Sequence, residues 1–171
     1  MTLEQPLATR PPRSLAEAAE AHLDDVFGYL LYLTRDRETA EDLSSSTFEK
    51  ALRMWDRFDP RRGSARTWLL GIARTTALDW FRAEARRRKR EAAAALDERV
   101  EEAFVEGLSP ELETALTSLT AGEREVLALR IVLELDGDAA ARVLGISPTA
   151  VSTRLSRALK RLEERVSEEC P

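Results

Sequence analysis

The sequence predicts an all-α protein of two small helical domains joined by a flexible acidic linker. Three observations carry this. Only 6% of the 171 residues are aromatic, while Ala, Leu, Arg and Glu dominate, a balance that favours helices over sheets. Apolar residues recur at spacings of three and four along most of the chain. A proline-glycine loop punctuates the first half, and an abrupt reversal of charge separates it from the second.

In order, residues 1–13, with Pro6, Pro11 and Pro12, read as a disordered tail. The first domain spans 14–90. Ser14 caps a helix whose apolar face runs through Leu23, Val26, Phe27, Leu30, Leu31 and Leu33 and which stops near Thr34 to Arg37. A second helix, about Glu38 to Phe58, carries Phe48, Ala51, Leu52 and Trp55 on one stripe with Leu43 a turn earlier. Pro60 and Gly63 make residues 58–64 a loop, and a long helix from Thr67 to Lys89 follows, with Leu69, Ile72, Ala73, Thr76 and Trp80 facing inward and only Gly71 to interrupt it. Trp68 and Trp80 are each readable as core or as stacking platforms.

That helix ends in Arg86, Arg87, Arg88, Lys89 and Arg90, and the sign then reverses through Glu91, Asp97, Glu98, Glu101, Glu102 and Glu106. Residues 91–109 read as a linker. The basic run is either a solvated helix end or an electrostatic rail beside a polyanion. In the second domain, 110–169, Leu112, Leu116 and Leu119 face one way, and Thr120 with Glu123 forms a capping box that opens a helix bearing Val126, Leu127 and Ile131.

The stretch from Asp136 to Arg165 is a helix-turn-helix pattern. Ala141 sits at a close helix crossing, Gly145 suits a left-handed helix end, and Ser147-Pro148 gives an N-cap followed by a first-turn proline. The last helix then carries Arg154, Arg157, Lys160, Arg161 and Arg165 against an apolar stripe of Val151, Leu155, Ala158, Leu159 and Leu162. DNA is the leading partner, the alternative being a helical hairpin with a solvated charged face. The formal net charge of −5 does not oppose this, because local basic surfaces govern phosphate attraction over a Debye length of about 10 Å. It does predict weak binding to free DNA.

Other classes lose ground. There is no glycine loop with phosphate-binding spacing and no nucleophile beside a histidine, so neither an enzyme nor a small-molecule substrate is expected. Cys170 and His22 are the sole residues of their kinds, which predicts no metal, no cofactor and no disulfide, with His22 a surface or interface side chain. No apolar run approaches the roughly 18 residues of a membrane span, and Met1 to Ser14 lacks a signal-peptide core, so a cytoplasmic protein without membrane insertion is expected.

Residues Glu38 to Ala51 and Ser64 to Arg82 together resemble region 2 of bacterial extracytoplasmic-function sigma factors, and the helix-turn-helix module resembles their region 4. The resemblance spans about Ser14 to Val166, in the family's order. It implies a promoter-specificity subunit that works with core RNA polymerase on promoter DNA, reading the −35 element as duplex and capturing unpaired bases of the −10 element. For the −35 element it implies Arg154 and Arg157 on phosphates, Ser152, Thr153 and Ser156 near base edges, and Thr149 and Lys160 on the same face. For the −10 element it implies Arg61, Arg62, Ser64, Arg74, Thr75, Asp79, Arg82 and Arg86, the loop forming a pocket for a flipped base. Glu41, Asp42, Leu43, Phe48 and Glu49 match the helix that docks on polymerase. Relatives are usually held by an anti-sigma factor, so a cognate one is expected. This chain departs from the family at Thr75, where Asn is common, at Ser152, where Lys or Arg is frequent, and at Ala139-Ala140, in place of Glu-Ile. The rival readings are a free-standing helix-turn-helix regulator and an interaction adaptor.

Overall fold

A computed structural model describes residues 11–92, 116 and 118–168, and these form helices and turns with no strand among them. Helix α1, Leu15–Thr34, begins where the Ser14 hydroxyl accepts the Glu17 amide and ends in a left-handed Arg35. Asp36 then caps α2, Arg37–Met54, through its carboxylate on the Thr39 amide. A single 3₁₀ turn, Trp55–Arg57, leads into the predicted loop. Ser64 accepts the Thr67 amide at 3.1 Å and so opens α3, Ala65–Ala92. At 28 residues α3 is about 42 Å long.

The second half begins with α4, Ala121–Leu127, whose capping box is the expected one: Thr120 receives the Glu123 amide and Glu123 reaches back to the Thr120 amide. Burial pushes the Glu123 carboxyl up, but hydrogen bonds from the Thr120 backbone and hydroxyl and the charge of Arg161 outweigh it, so Glu123 lies below the usual carboxylate range. Helix α5, Gly137–Leu144, is capped by Asp136 and ends at Gly145 with φ 66°. Helix α6, Pro148–Glu168, follows from Ser147, whose hydroxyl accepts the Ala150 amide.

Several apolar positions fall elsewhere than the stripes predict. The inward line of α1 is Ala18, Val26, Tyr29 and Leu30, so Leu23 lies off it and is half exposed. On α2 the line is Ala40, Leu43, Ser44, Thr47 and Ala51, which turns Leu52 outward to 68% exposure. Between α4 and α5 a π-turn, Ala128–Val132, inserts one extra residue, with the Leu133 amide donating to the Ala128 carbonyl at 2.9 Å. The insertion advances the register by one position, so Ile131 and Val132 swing into solvent while Leu133 and Leu135 enter the core. Leu159 sits at the edge of the α6 stripe, half exposed, while Val151 and Ala158 are buried.

The two helical domains that the sequence predicts are present and pack on each other: Leu129, Leu133, Leu135, Ala139, Ala140 and Val143 share one continuous core with Leu69, Leu70, Ile72 and Ala73 of α3. Helix α5 packs along α3, which also carries α1 and α2 on its other faces. The predicted linker, 91–109, falls almost wholly outside the described residues, as do Met1–Arg10, Leu112 and Cys170.

One ion pair ties α3 to α1. Arg66 holds Asp25 bidentately at 2.7 and 2.8 Å, and these bonds, opposed by partial burial, keep the Asp25 carboxyl below its ordinary 3.8. A folded-state pKa below the unfolded one gives stability that is complete above the unfolded value and lost as pH falls through the folded one. Asp25→Asn therefore lowers stability by about 1 kcal/mol at neutral pH, the partly exposed pair being discounted for solvent. Urea denaturation of both proteins from pH 7 to pH 3 checks this: the gap closes below about pH 4.

Candidate nucleic-acid interface

The loop after α2 is built on a three-ring cluster. Trp55 stacks on Phe58 with centroids 5.0 Å apart, and Trp68 closes on both at 5.7 and 5.5 Å. Asp59 turns the loop by accepting the Arg61 amide and side chain, at 3.0 and 3.3 Å, and those bonds hold its carboxyl below the usual range. Beside the rings lies an open cavity of about 500 Å³ bordered by Lys50, Phe58, Arg62, Trp68, Thr75 and Arg142. An aromatic wall with the first-half cations Lys50 and Arg62 at the rim suits a flat, anionic-backboned ligand such as an unstacked nucleotide.

Of the residues predicted for this site, Arg61, Arg62, Ser64, Thr75, Asp79, Arg82 and Arg86 are exposed. The Thr75 hydroxyl donates to the Ile72 carbonyl at 2.8 Å, so at the cavity border its oxygen is left with acceptor capacity alone. Asp79 pairs with Arg82 at 3.3 Å and lies 3.9 Å from Lys50. Arg74 is the exception. Its guanidinium is bound bidentately to Glu125 of α4, at 2.9 and 3.2 Å. Farther along α3, Arg87 and Arg88 are paired with Glu84, while Arg86 and Lys89 extend outward. Trp80 packs edge-on against Phe81 rather than on the cavity.

The second surface is α6. Thr149, Ser152, Thr153, Ser156, Arg157 and Lys160 are all exposed, with Val151 and Ala158 buried behind them. Ser152 and Thr153 donate their hydroxyl protons to carbonyls one turn back, at 3.2 and 3.0 Å. Arg154 differs: it is half-buried, and its guanidinium lies 3.3 Å from where a Cβ on Gly122 would stand, which ties it to the first turn of α4. Arg161 also reaches back to α4, pairing with Glu123 at 2.9 Å.

Two family models match the sequence, one described as Sigma-70 region 2 over residues 18–87 and one described as Sigma-70, region 4 over residues 109–162. The chain is 35% identical over 150 residues to the probable RNA polymerase sigma-C factor of Mycobacterium bovis, covering 85% of this chain and 80% of that protein. The chain belongs to the extracytoplasmic-function sigma factors of the sigma-70 family. This sigma factor is also 29% identical over 158 residues to the Bacillus subtilis sigma factor SigX, covering 86% of this chain and 80% of that one. Its fold matches the sigma factor RpoE of Bartonella quintana, solved with the anti-sigma factor NepR, at a TM-score of 0.69 and 25% identity, covering 90% of this chain and 97% of that chain.

On α2 of the sigma factor, Glu41, Asp42 and Glu49 are exposed and Phe48 is half-buried against the core. Leu43, predicted for the polymerase-facing set, is instead a core residue, 6% exposed. It occupies the line that faces α1 and α3, so Leu52 is the large apolar group that this helix presents outward. Sequence reasoning missed Lys50, Arg57 and Arg142 at the cavity. Lys50 was legible as a cation next to the inward stripe of α2, whereas Arg142 comes from the other half of the chain and had no local signal. Among the described residues no cluster of three metal-ligating side chains occurs and no helix is long and apolar enough to cross a membrane.

The reassignment of α2 is measurable. Leu43→Ala lowers stability by about 2–4 kcal/mol, while Leu52→Ala changes it by less than about 0.5 kcal/mol. Equal losses in urea denaturation would contradict the orientation of this helix.

Proposed function

We propose that this sigma factor is the dissociable promoter-specificity subunit of a bacterial RNA polymerase, with the first half, 14–90, capturing the −10 element and the second, 110–169, reading the −35 element. The carrying observation is the presence in one chain of an aromatic-walled, cation-rimmed cavity and an exposed Ser/Thr/Arg face on the second helix of a helix-turn-helix. The exposed face on α6 fits the major groove, where Thr149, Ser152, Thr153 and Ser156 meet base edges and Arg157 and Lys160 meet phosphates. In the cavity an extracted base stacks near Phe58 and Trp68, and Thr75, Ser64 and the loop arginines supply polar contacts. The exposed acidic groups Glu41, Asp42 and Glu49, with Phe48 and Leu52 beside them, form the polymerase-docking face. It acts in the cytoplasm, where the polymerase is, and a cognate anti-sigma factor binds it, as the complex of NepR with the Bartonella protein suggests by likeness. Its role is that of a regulatory subunit, not an enzyme.

Two outcomes follow in transcription assays with core polymerase. Thr75→Val, and separately Arg62→Ala with Ser64→Ala, reduce transcription from a fully paired promoter, because capture loses about 1–3 kcal/mol of stabilisation. On a template already mismatched through the −10 element the opening cost is prepaid and activity recovers. Phe48→Ala depresses both templates alike; equal losses for the loop variants would remove the cavity from strand capture. Second, Arg157→Ala weakens promoter binding by the holoenzyme across sequence variants and flattens the salt dependence by about one counterion, whereas Thr153→Ala shifts −35 preference. An Arg157→Ala protein with altered base preference and an unchanged slope would reverse those roles.

A further inference from the structure

The contact between the two halves is polar where it meets the candidate DNA surface, and there it consumes the groups that surface needs. Arg74 lies on α3 beside Thr75, yet its guanidinium is turned to Glu125 of α4, with the two side chains only 21% and 10% exposed. Glu125 offers two carboxylate oxygens to the guanidinium fork, the same planar bidentate geometry that a phosphate offers. Tyr29 of α1 is buried against this pair, and burial together with the Glu125 charge keeps its phenol neutral far above its ordinary value. A second contact lies at the cavity itself: Arg142 of α5 donates to the Arg62 carbonyl at 3.4 Å and borders the cavity mouth. It also approaches Gly63 so closely that a Cβ there would stand 3.3 Å from its guanidinium.

We propose that Glu125 acts as an internal stand-in for a DNA phosphate, so that this is a closed, self-occluded state in which the second half withholds Arg74 and partly covers the capture cavity. The inference rests on the cavity being the strand-capture site. An incoming single strand then competes with Glu125 for one guanidinium, and strand capture and detachment of α4 and α5 from α3 become a single exchange of anions. Neither partner is left unpaired: Arg74 passes from a carboxylate to a phosphate, and Glu125 passes from Arg74 to water. A ligand that meets its site only in the open fraction binds more weakly by that fraction, so weakening the latch tightens apparent affinity.

The test uses the full-length chain with Cys170→Ser and donor and acceptor dyes on Arg53→Cys and Glu163→Cys, both exposed and outside the proposed contacts. The probe is a single-stranded DNA of random sequence, read by anisotropy and by energy transfer in the same titration. In the otherwise unaltered chain, energy transfer falls as the strand binds, with the same midpoint as anisotropy. Glu125→Gln lowers transfer before any DNA is added and tightens strand binding by about 3- to 10-fold. Arg142→Ala, which leaves Arg74 and its partner intact, shifts both readings the same way by a smaller factor and serves if the glutamine variant folds poorly by circular dichroism. The exchanged pair Arg74→Glu with Glu125→Arg restores high transfer and abolishes the strand-induced fall. The latch is overturned if the strand binds but transfer stays constant, or if both single variants open the chain and leave affinity unchanged. Those failures differ from failure of the underlying reading, in which loop variants lose nothing on paired promoters relative to mismatched ones in the holoenzyme.

Discussion

The fold depends on α3 being buried from two sides. A 28-residue helix with a single apolar stripe would need only one partner, but α3 meets α1 and α2 on one flank and α5 on another. The chain meets this requirement with small side chains. Ala73 and Ala77 are fully covered, and Leu69, Leu70 and Ile72 spread the large apolar groups around the helix so that no single face owns them. Three helices pack around α3 as a result, and the loop preceding it is pinned at its base by Ser64 and by the Trp55, Phe58 and Trp68 rings. This base walls the candidate cavity: Phe58 and Trp68 pack on Trp55 and on each other and border the cavity beside them.

What could be read from the sequence was what local chemistry fixes. Ser14, the Thr120–Glu123 box, Gly145 and Ser147-Pro148 each satisfy backbone groups within four residues of themselves, so their partners were visible in the same few letters. The loop 58–64 was legible for the same reason, and so were the exposed hydroxyls and arginines of α6. Errors arose where one position on a helix decides burial. Leu23 and Leu52 each lie one residue from a true inward line, and apolar identity alone cannot tell which neighbour faces in. Ile131 failed for a different reason, since the π-turn breaks the period on which the stripe was counted. The pairing of Arg74 with Glu125 spans 51 residues and that of Arg142 with the Arg62 carbonyl spans 80, and no local pattern foretells either.

Charge in this protein is organised by pairing more than by sum. The basic end of α3 looks like a uniform cationic rod in the sequence, yet Glu84 takes two of its arginines and Glu91 takes a further bond from Arg87. Such exposed pairs contribute little to stability, but they thin out the field a polyanion would meet. The acidic total of −5 thus coexists with cationic patches of limited size. Carboxylates in this fold act chiefly as placeholders and braces for arginines: Asp25 for Arg66, Glu123 for Arg161, Glu125 for Arg74.

Arg74 and Thr75 are consecutive, and their side chains leave the helix in different directions, one toward α4 and the other toward the cavity. In the proposed latch, the residue that meets the second half and the residue that meets a captured base are therefore neighbours whose Cα atoms stand about 3.8 Å apart. Communication between them needs no relay of repacked side chains and no hinge of its own. One peptide unit is the shortest link a polypeptide can offer.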